Sequence, residues 1–172
     1  MKTQLTALLA GLAVVLAAGA ARAEDAKFEK HGLTFTYPKD GWTVKDDAKK
    51  DVTTITAVNG KGTTVTITLN GPDVDPKLLA GELDKTFKNI FKDKVVKDSD
   101  KPAKRKLLGA EREGQTLEIE LAKGVTSKLE YYAFQTASKK NTVSVTLQTT
   151  SFDADAKKVV DMIADSLMES KK

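Results

Sequence analysis

The 172-residue sequence has no cysteine, a single histidine, a single tryptophan and four prolines. Without cysteine, the chain can form neither a disulfide nor the thioether that anchors bacterial lipoproteins. Catalysis by a Ser-His-Asp or Cys-His arrangement needs an imidazole beside a nucleophile, and His31 is the one imidazole present. A zinc site needs several histidines or cysteines at short spacing. These absences argue against an enzyme of those types and against a zinc protein.

Long apolar runs are also missing, except at the amino end. Lys2 precedes a run of apolar or small residues over 5–18, and Ala21-Arg22-Ala23 offers the small-x-small pattern of a signal-peptidase site. The run is shorter than the roughly 20 apolar residues that span a bilayer. We therefore predict a cleavable signal peptide over 1–23, no transmembrane anchor after cleavage, and a periplasmic or secreted bacterial protein.

The charge balance is close to even. The net charge is +4, and it falls to +2 once Lys2 and Arg22 leave with the signal peptide. This balance does not predict nucleic-acid binding. The remaining residues, 24–172, are numerous enough to bury one sizeable core, so we predict a single domain and expect a monomer.

Most of the mature sequence alternates apolar and polar side chains, the period-two pattern of half-buried strands. The clearest case is Val65, Ile67 and Leu69 between threonines, after the turn signal Asn59-Gly60-Lys61-Gly62. The pattern predicts strands at 33–37, 53–58, 63–69, 106–113, 117–121, 129–134 and 143–148. The polar stretch 92–106 is interpreted as a strand fragment and a solvated loop.

Two segments follow the helical period. Leu79, Leu83, Phe87 and Ile90 recur at spacings of four, four and three after Asp75-Pro76, a capping and first-turn pair. A second apolar stripe runs through 153–168. Strands and helices that are segregated along the chain indicate an α+β fold. We predict a single antiparallel β-sheet packed by two main helices, in an α/β/α sandwich.

If the apolar face of this sheet packs on both helices, the opposite face is polar, rich in threonine and free to bind a partner. Alternation places Tyr132 and Phe134 on that polar face, where two aromatic rings are unexpected. Aromatic side chains are enriched at the energetic centres of interfaces. We therefore predict binding through Tyr132 and Phe134, with Trp42 as a further candidate contact. The alternative interpretations are that another segment covers the two rings and that Trp42 closes one end of the core.

No motif predicts a cofactor or metal. His31 lies in Lys30-His31-Gly32-Leu33, where a turn explains it better than catalysis does. The Asp-x-Asp pairs at 73, 98 and 153 do not continue into an EF-hand loop, and two of the pairs precede helices, where capping explains them. Phosphate-binding glycine loops of the P-loop and Rossmann kinds are absent from the sequence.

Three stretches carry a resemblance to a known group: LTFTYPKDGW at 33–42, LEYYAF at 129–134, and SFDADAKKVVDMIADSL at 151–167. In these stretches the chain resembles the PsbP-like group. This group includes the photosystem II subunit PsbP, bacterial DcrB-type periplasmic proteins and the import factor of the GTPase Ran. The resemblance extends over residues 28–167. It implies an antiparallel sheet between helices and a non-enzymatic role in binding or assembly. It does not imply one ligand, and the missing cysteine and single histidine depart from some members.

Three functional hypotheses follow. The first is an exported, non-enzymatic binding or accessory protein that supports an envelope process through contact with another envelope protein. The second is a small-ligand or lipid-binding protein, with an apolar cavity between sheet and helix lined by residues such as Phe87, Phe91 and Leu121. The third, a hydrolase using His31, has the least support in the sequence.

Overall fold

The computed structural model describes residues 24–170, so the predicted signal peptide at 1–23 lies outside the described residues. Within the described residues the chain forms ten strands and two α-helices. The strands are β1 (Asp25–Lys30), β2 (Leu33–Pro38), β3 (Trp42–Ala48), β4 (Val52–Asn59), β5 (Thr64–Asn70), β6 (Lys101–Leu107), β7 (Ala110–Ala122), β8 (Val125–Gln135), β9 (Thr142–Thr150) and β10 (Met168–Glu169). The helices are α1 (Pro76–Phe91) and α2 (Ala156–Ser166).

The prediction of an α+β fold with a single sheet is wrong, because the described chain is mostly β-strand and its strands form two sheets. Seven strands pair in the order β3-β4-β5-β9-β8-β7-β6, and three pair in the order β1-β2-β10. All pairings between these strands are antiparallel. The large sheet leaves β3 and β6 as its two edges.

The small sheet exists because a tight turn folds β1 back onto β2. His31 and Gly32 both have positive φ, 54° and 76°, as a two-residue hairpin turn requires. The rings of Phe28 and Phe35 then stack across the two strands, with centroids 4.9 Å apart. β10, after α2, pairs with the other edge of β2. This pairing joins the amino and carboxyl ends of the described chain.

Helices pack on both faces of the large sheet around β8 and β9, and each face has its own core. On one face, α2 packs against β9, β6 and β5 of the large sheet and against β2 of the small sheet. The main core lies there, with Ile67, Val145, Phe35 and Ile163 among its members. On the other face, α1 packs on β8, β9 and β7 over a smaller core of Leu117, Ile119, Leu129 and Tyr131. The two helices therefore lie on opposite faces of the large sheet, and do not share one face.

Helix α1 begins as predicted, since the Asp75 side chain accepts a hydrogen bond from the Lys77 N–H at 2.8 Å and Pro76 occupies the first turn. Its packing stripe differs at the end. Ile90 is 64% exposed, and Phe91 packs on the smaller core in its place. No residue of α1 is fully buried, whereas α2 buries five, including Val160 and Ile163.

One strand was not predicted, and two predictions about individual segments are wrong. The strand without a prediction is β3 at 42–48, whose mostly exposed and charged sequence lacks a clear apolar alternation. The predicted strand at 106–113 is two strands, because Leu108 and Gly109 have positive φ, 50° and 78°, and turn the chain between β6 and β7. The stretch 92–106 contains a 3-10 turn at Lys92–Lys94 and most of β6. Over residues 24–170, the structure contains no helix with the length and apolar character needed to span a bilayer.

Candidate functional site

Tyr132 and Phe134 lie in the main core, so the prediction that their rings face outward is wrong. The two residues are 1% and 6% exposed. The register pairs Tyr132 with Val145 and Phe134 with Val143, which places the rings on the α2 face. Alternation correctly separates Tyr132 and Phe134 from Leu129 and Tyr131. However, β8 is covered on both faces, and therefore both sets are buried.

The phenol of Tyr132 is satisfied inside the fold. It donates a hydrogen bond to Glu130 Oε2 at 2.9 Å. The same oxygen accepts from Arg105 Nε at 3.2 Å, and Arg105 also donates to Asp161 on α2 at 2.8 Å. Burial acts to raise the pKa of Glu130, but Lys128 and Arg105 hold that pKa below its usual value. This network joins β6, β8 and α2, and it accounts for a buried tyrosine on this face.

Phe134 is also engaged within the fold. The guanidinium carbon of Arg112 lies 4.5 Å from the centre of its ring, a cation–π distance. Neither ring is therefore available to a partner in the folded protein. The neighbouring half of the large sheet does keep a polar face. There Thr64, Thr66 and Thr68 are half-buried opposite Val65, Ile67 and Leu69, as alternation predicted.

Trp42, the third predicted contact, has a different position. It is the first residue of β3, is half-buried, and packs against the edge of the main core. It also lines an open cleft with a volume of about 580 Å³, a size typical of ligand-binding clefts. We call this the Trp42 cleft. Its other apolar lining residues include Pro38, Val159 and Met162, and its charged lining residues are Asp25, Asp40, Asp153, Asp155, Lys61 and Lys158.

Separate parts of the chain build the Trp42 cleft. The β2–β3 turn supplies Asp40, the first residue of β3 is Trp42, the β4–β5 turn supplies Lys61, and the start of α2 supplies Asp155 and Lys158. The described structure thus brings two turns of the amino-terminal half together with a helix start that lies about 90 residues or more further along the chain. The sequence indicates the two turns, but it does not show that they lie next to the start of α2 in the folded protein.

Asp153 fixes two of these parts together. Its side chain is 3% exposed and accepts hydrogen bonds from Thr63 Oγ1 and Asn59 Nδ2, both at 2.7 Å. Lys61 Nζ lies 3.7 Å away. Burial acts to raise the pKa of Asp153, but these two hydrogen bonds and the Lys61 charge hold that pKa below its usual value. Asp153 therefore connects the β4–β5 turn to the start of α2, where capping alone had been expected.

The charges of the Trp42 cleft are only partly paired. Within residues 24–170, no ion pair within 4 Å involves Asp25, Asp40, Asp155 or Lys158. Four carboxylates and two ammonium groups line the cleft, whereas the whole chain carries net positive charge. The cleft is therefore locally acidic on a basic protein.

His31 does not form a catalytic arrangement in the described structure. Its Nε2 lies 2.8 Å from Asp46 Oδ2, and Lys30 lies 3.2 Å from the same carboxylate. These contacts lower the pKa of Asp46, and the hydrogen bond with His31 has the largest effect. His31 also lines a smaller cleft of about 440 Å³, with Thr136, Lys140 and others. The described part of the chain has no group of three or more histidines, cysteines or acids placed to hold a metal ion.

Comparison with known proteins identifies no family. No family model matches the chain, and no curated protein matches it. Among solved structures, the chain is similar to LpqN of Mycobacterium tuberculosis, which is described as involved in cell envelope biogenesis. The TM-score is 0.43 at 13% sequence identity, over 84% of this chain and 90% of LpqN. The resemblance to the PsbP-like group remains a prediction from the sequence.

Proposed function

We propose that this chain is an exported, non-enzymatic binding protein that acts through contact with another envelope protein, and that it binds this partner at the Trp42 cleft. The observation that carries the proposal is the position of the single tryptophan. Trp42 is half-buried, held by the core on one side and open to a cleft of about 580 Å³ on the other. Tryptophan in a partly desolvated pocket is a common energetic centre of protein interfaces.

The positions of the other two predicted contact residues favour Trp42 as the contact. Since Tyr132 and Phe134 are in the main core, a partner cannot reach them without unfolding the protein. The half-buried threonine side chains of β5 offer a polar surface but no aromatic anchor. Export and the envelope location rest on the predicted signal peptide. The non-enzymatic role rests on the sequence and on the place of His31 in a hairpin turn.

A small ligand in the same cleft is the second candidate, because its volume falls within the range of about 300–1,000 Å³ that is usual for small-molecule sites. The apolar cavity that was expected between α1 and the sheet is filled by side chains in the described structure. Phe87 and Phe91 pack on the smaller core, with the ring of Phe87 5.2 Å from that of Tyr131, and Leu121 is 38% exposed.

Affinity capture with a charge-reversed cleft tests the proposal. Asp40 is exposed and without an ion pair in the described structure, so Asp40→Lys changes the cleft without disturbing the core. Glu120→Lys on β7, also exposed, is the matched control. We expect Asp40→Lys to reduce recovery of one specific envelope protein about tenfold, and Glu120→Lys to leave it within about twofold.

Equal recovery with both variants would reject the cleft as the contact. Native mass spectrometry of the exported protein separates the second candidate from the first. A co-purified small molecule that Asp40→Lys displaces, without any recovered protein partner, would favour ligand binding.

A further inference from the structure

Resting on the proposed function, we infer that the Trp42 cleft receives a basic side chain, lysine or arginine, from an extended segment of the partner protein. The positive charge of this side chain is inferred from the charged residues that line the cleft. Asp153 and Lys61 are occupied with each other and with the β4–β5 turn. Of the remaining charges, Asp25, Asp40 and Asp155 outnumber Lys158. The cleft therefore attracts a cation, although the chain as a whole is positive.

The indole of Trp42 suits the same group. An ammonium or guanidinium over an aromatic face is attracted by the ring, and tryptophan is the strongest of the aromatic residues in this contact. The protein already contains one such pair, since Arg112 lies over the ring of Phe134. The methylene stem of a lysine or arginine can pack on apolar side chains while its charged head reaches carboxylates, and Val159 and Met162 line the cleft beside the acids.

The shape of the cleft favours a side chain that enters from outside on a polypeptide. The cleft is open to solvent and bounded by two turns and the start of α2. Its volume of about 580 Å³ leaves room for neighbouring residues of an extended segment beside the basic one. A free organic cation could pair with the same carboxylates. A comparison of arginine amide with an arginine peptide distinguishes a free cation from a protein segment.

Fluorescence titration tests the inference directly, because Trp42 is the only tryptophan in the chain and every change in indole emission reports on this cleft. The probes are three acetylated, amidated tripeptides that place arginine, citrulline or glutamate between two leucines. Citrulline keeps the shape of arginine without its charge. We expect the arginine peptide to change Trp42 emission and to bind about tenfold more tightly than the citrulline peptide, with the glutamate peptide weakest.

Paired variants show whether the cleft acids are responsible. Asp40→Asn with Asp155→Asn should weaken binding of the arginine peptide about tenfold. Asp51→Asn with Glu120→Gln removes the same two charges at exposed positions outside the cleft, and should leave the affinity within about twofold. Circular dichroism of both double variants should match that of the parent protein, which excludes misfolding as the cause.

Two results would overturn the inference. If the arginine, citrulline and glutamate peptides bind equally, or none changes Trp42 emission, the preference for a basic side chain is wrong. If arginine amide alone binds as tightly as the arginine peptide, the ligand is a free cation and not a protein segment. The proposed function survives either of these results if Asp40→Lys still reduces the capture of an envelope protein about tenfold. Undiminished capture by Asp40→Lys, in contrast, rejects the proposed function itself.

Discussion

At the scale of single residues, Gly114 on β7 shows how closely the main core is packed. It lies opposite Tyr132 on β8, and a Cβ at this position would overlap both the Tyr131 carbonyl oxygen and the Tyr132 ring. The Tyr132 ring occupies the space that a side chain at residue 114 would need. This glycine is therefore required by the burial of Tyr132.

Gly114→Ala should destabilise the protein by about 1–3 kcal/mol, since the tyrosine ring and the β7 and β8 backbones must shift to admit a methyl group. Gly81→Ala in α1 is the control. A Cβ at residue 81 meets no atom within 4 Å, and alanine is favoured over glycine in a helix by about 1 kcal/mol. Urea denaturation measures both changes. A neutral Gly114→Ala would contradict the packing of Tyr132 described here.

Asp153 is the residue that ties the Trp42 cleft together, and its ionisation contributes to stability. Its pKa in the folded protein is below the ordinary value of 3.8. The contribution is therefore fully present above about pH 4 and is lost as the pH falls through the folded pKa. Asp153→Asn should cost about 1–3 kcal/mol at neutral pH, because Thr63 and Asn59 lose a charged acceptor.

The pH dependence provides the sharper test of Asp153. The difference in unfolding free energy between the parent protein and Asp153→Asn should shrink as the pH is lowered from 6 to below 3. Asp155→Asn is the matched control, since the Asp155 side chain makes no capping hydrogen bond, and its effect should stay within about 0.5 kcal/mol. A pH-independent difference for Asp153→Asn would show that its carboxylate is not the group involved.

At the scale of elements, the two helices are held unequally. Helix α2 buries five residues in the main core, whereas α1 buries none completely and rests on the smaller core through Leu83, Phe87 and Phe91. Two polar contacts add to this packing: the Tyr131 hydroxyl donates a hydrogen bond of 2.6 Å to Asp84 on α1, and Lys88 on α1 forms an ion pair with Asp100 before β6. Helix α1 is therefore the less strongly attached of the two.

Native-state hydrogen exchange should find that amides of α1 open at a lower free energy than amides of α2. Tyr131→Phe should lower the opening free energy of α1 by about 1 kcal/mol, because it removes the hydrogen bond to Asp84 while keeping the ring. Amides of α2 serve as the internal reference and should not change relative to the parent. An equal loss in both helices would mean that α1 and α2 unfold as one unit.

The elements also show which information the sequence carries. Alternation correctly predicted which residues share a face within β5, β8 and β9, and the helical period predicted α1 and α2. Alternation could not predict which face of the sheet each set of side chains would occupy, because that depends on the register between strands. In β8, Tyr131 and Tyr132 are both buried, since a helix covers each face, and only the long-range pairing reveals this.

The site was predictable to a lesser degree. Trp42 was recognised as a candidate from residue type and from its place after a proline turn. The opposing wall of its cleft, from Lys61 to Lys158, is assembled by tertiary contacts that leave no local pattern. Asp153 carried a signal, an acid just before a helix, but the signal was interpreted as capping because its partners Asn59 and Thr63 are about 90 residues away.

At the scale of the whole molecule, this is a two-sheet β protein in which the three predicted aromatic contacts have two different roles. Tyr132 and Phe134 hold the interior together, while Trp42 joins the interior to an open, acidic cleft. The polar half-face of the large sheet around Thr66 is a second surface, and it is partly exposed. We propose that the partner binds at the Trp42 cleft and not at this polar face.

Site-specific photo-cross-linking in the living producer cell tests that claim most directly. A photoreactive amino acid is placed in turn at Asp40 in the Trp42 cleft, at Thr66 on the polar face, and at Lys104 on β6 as an exposed position away from both. We predict a discrete cross-linked envelope protein from position 40 and none from positions 66 and 104. A cross-link from position 66 with none from position 40 would contradict the claim.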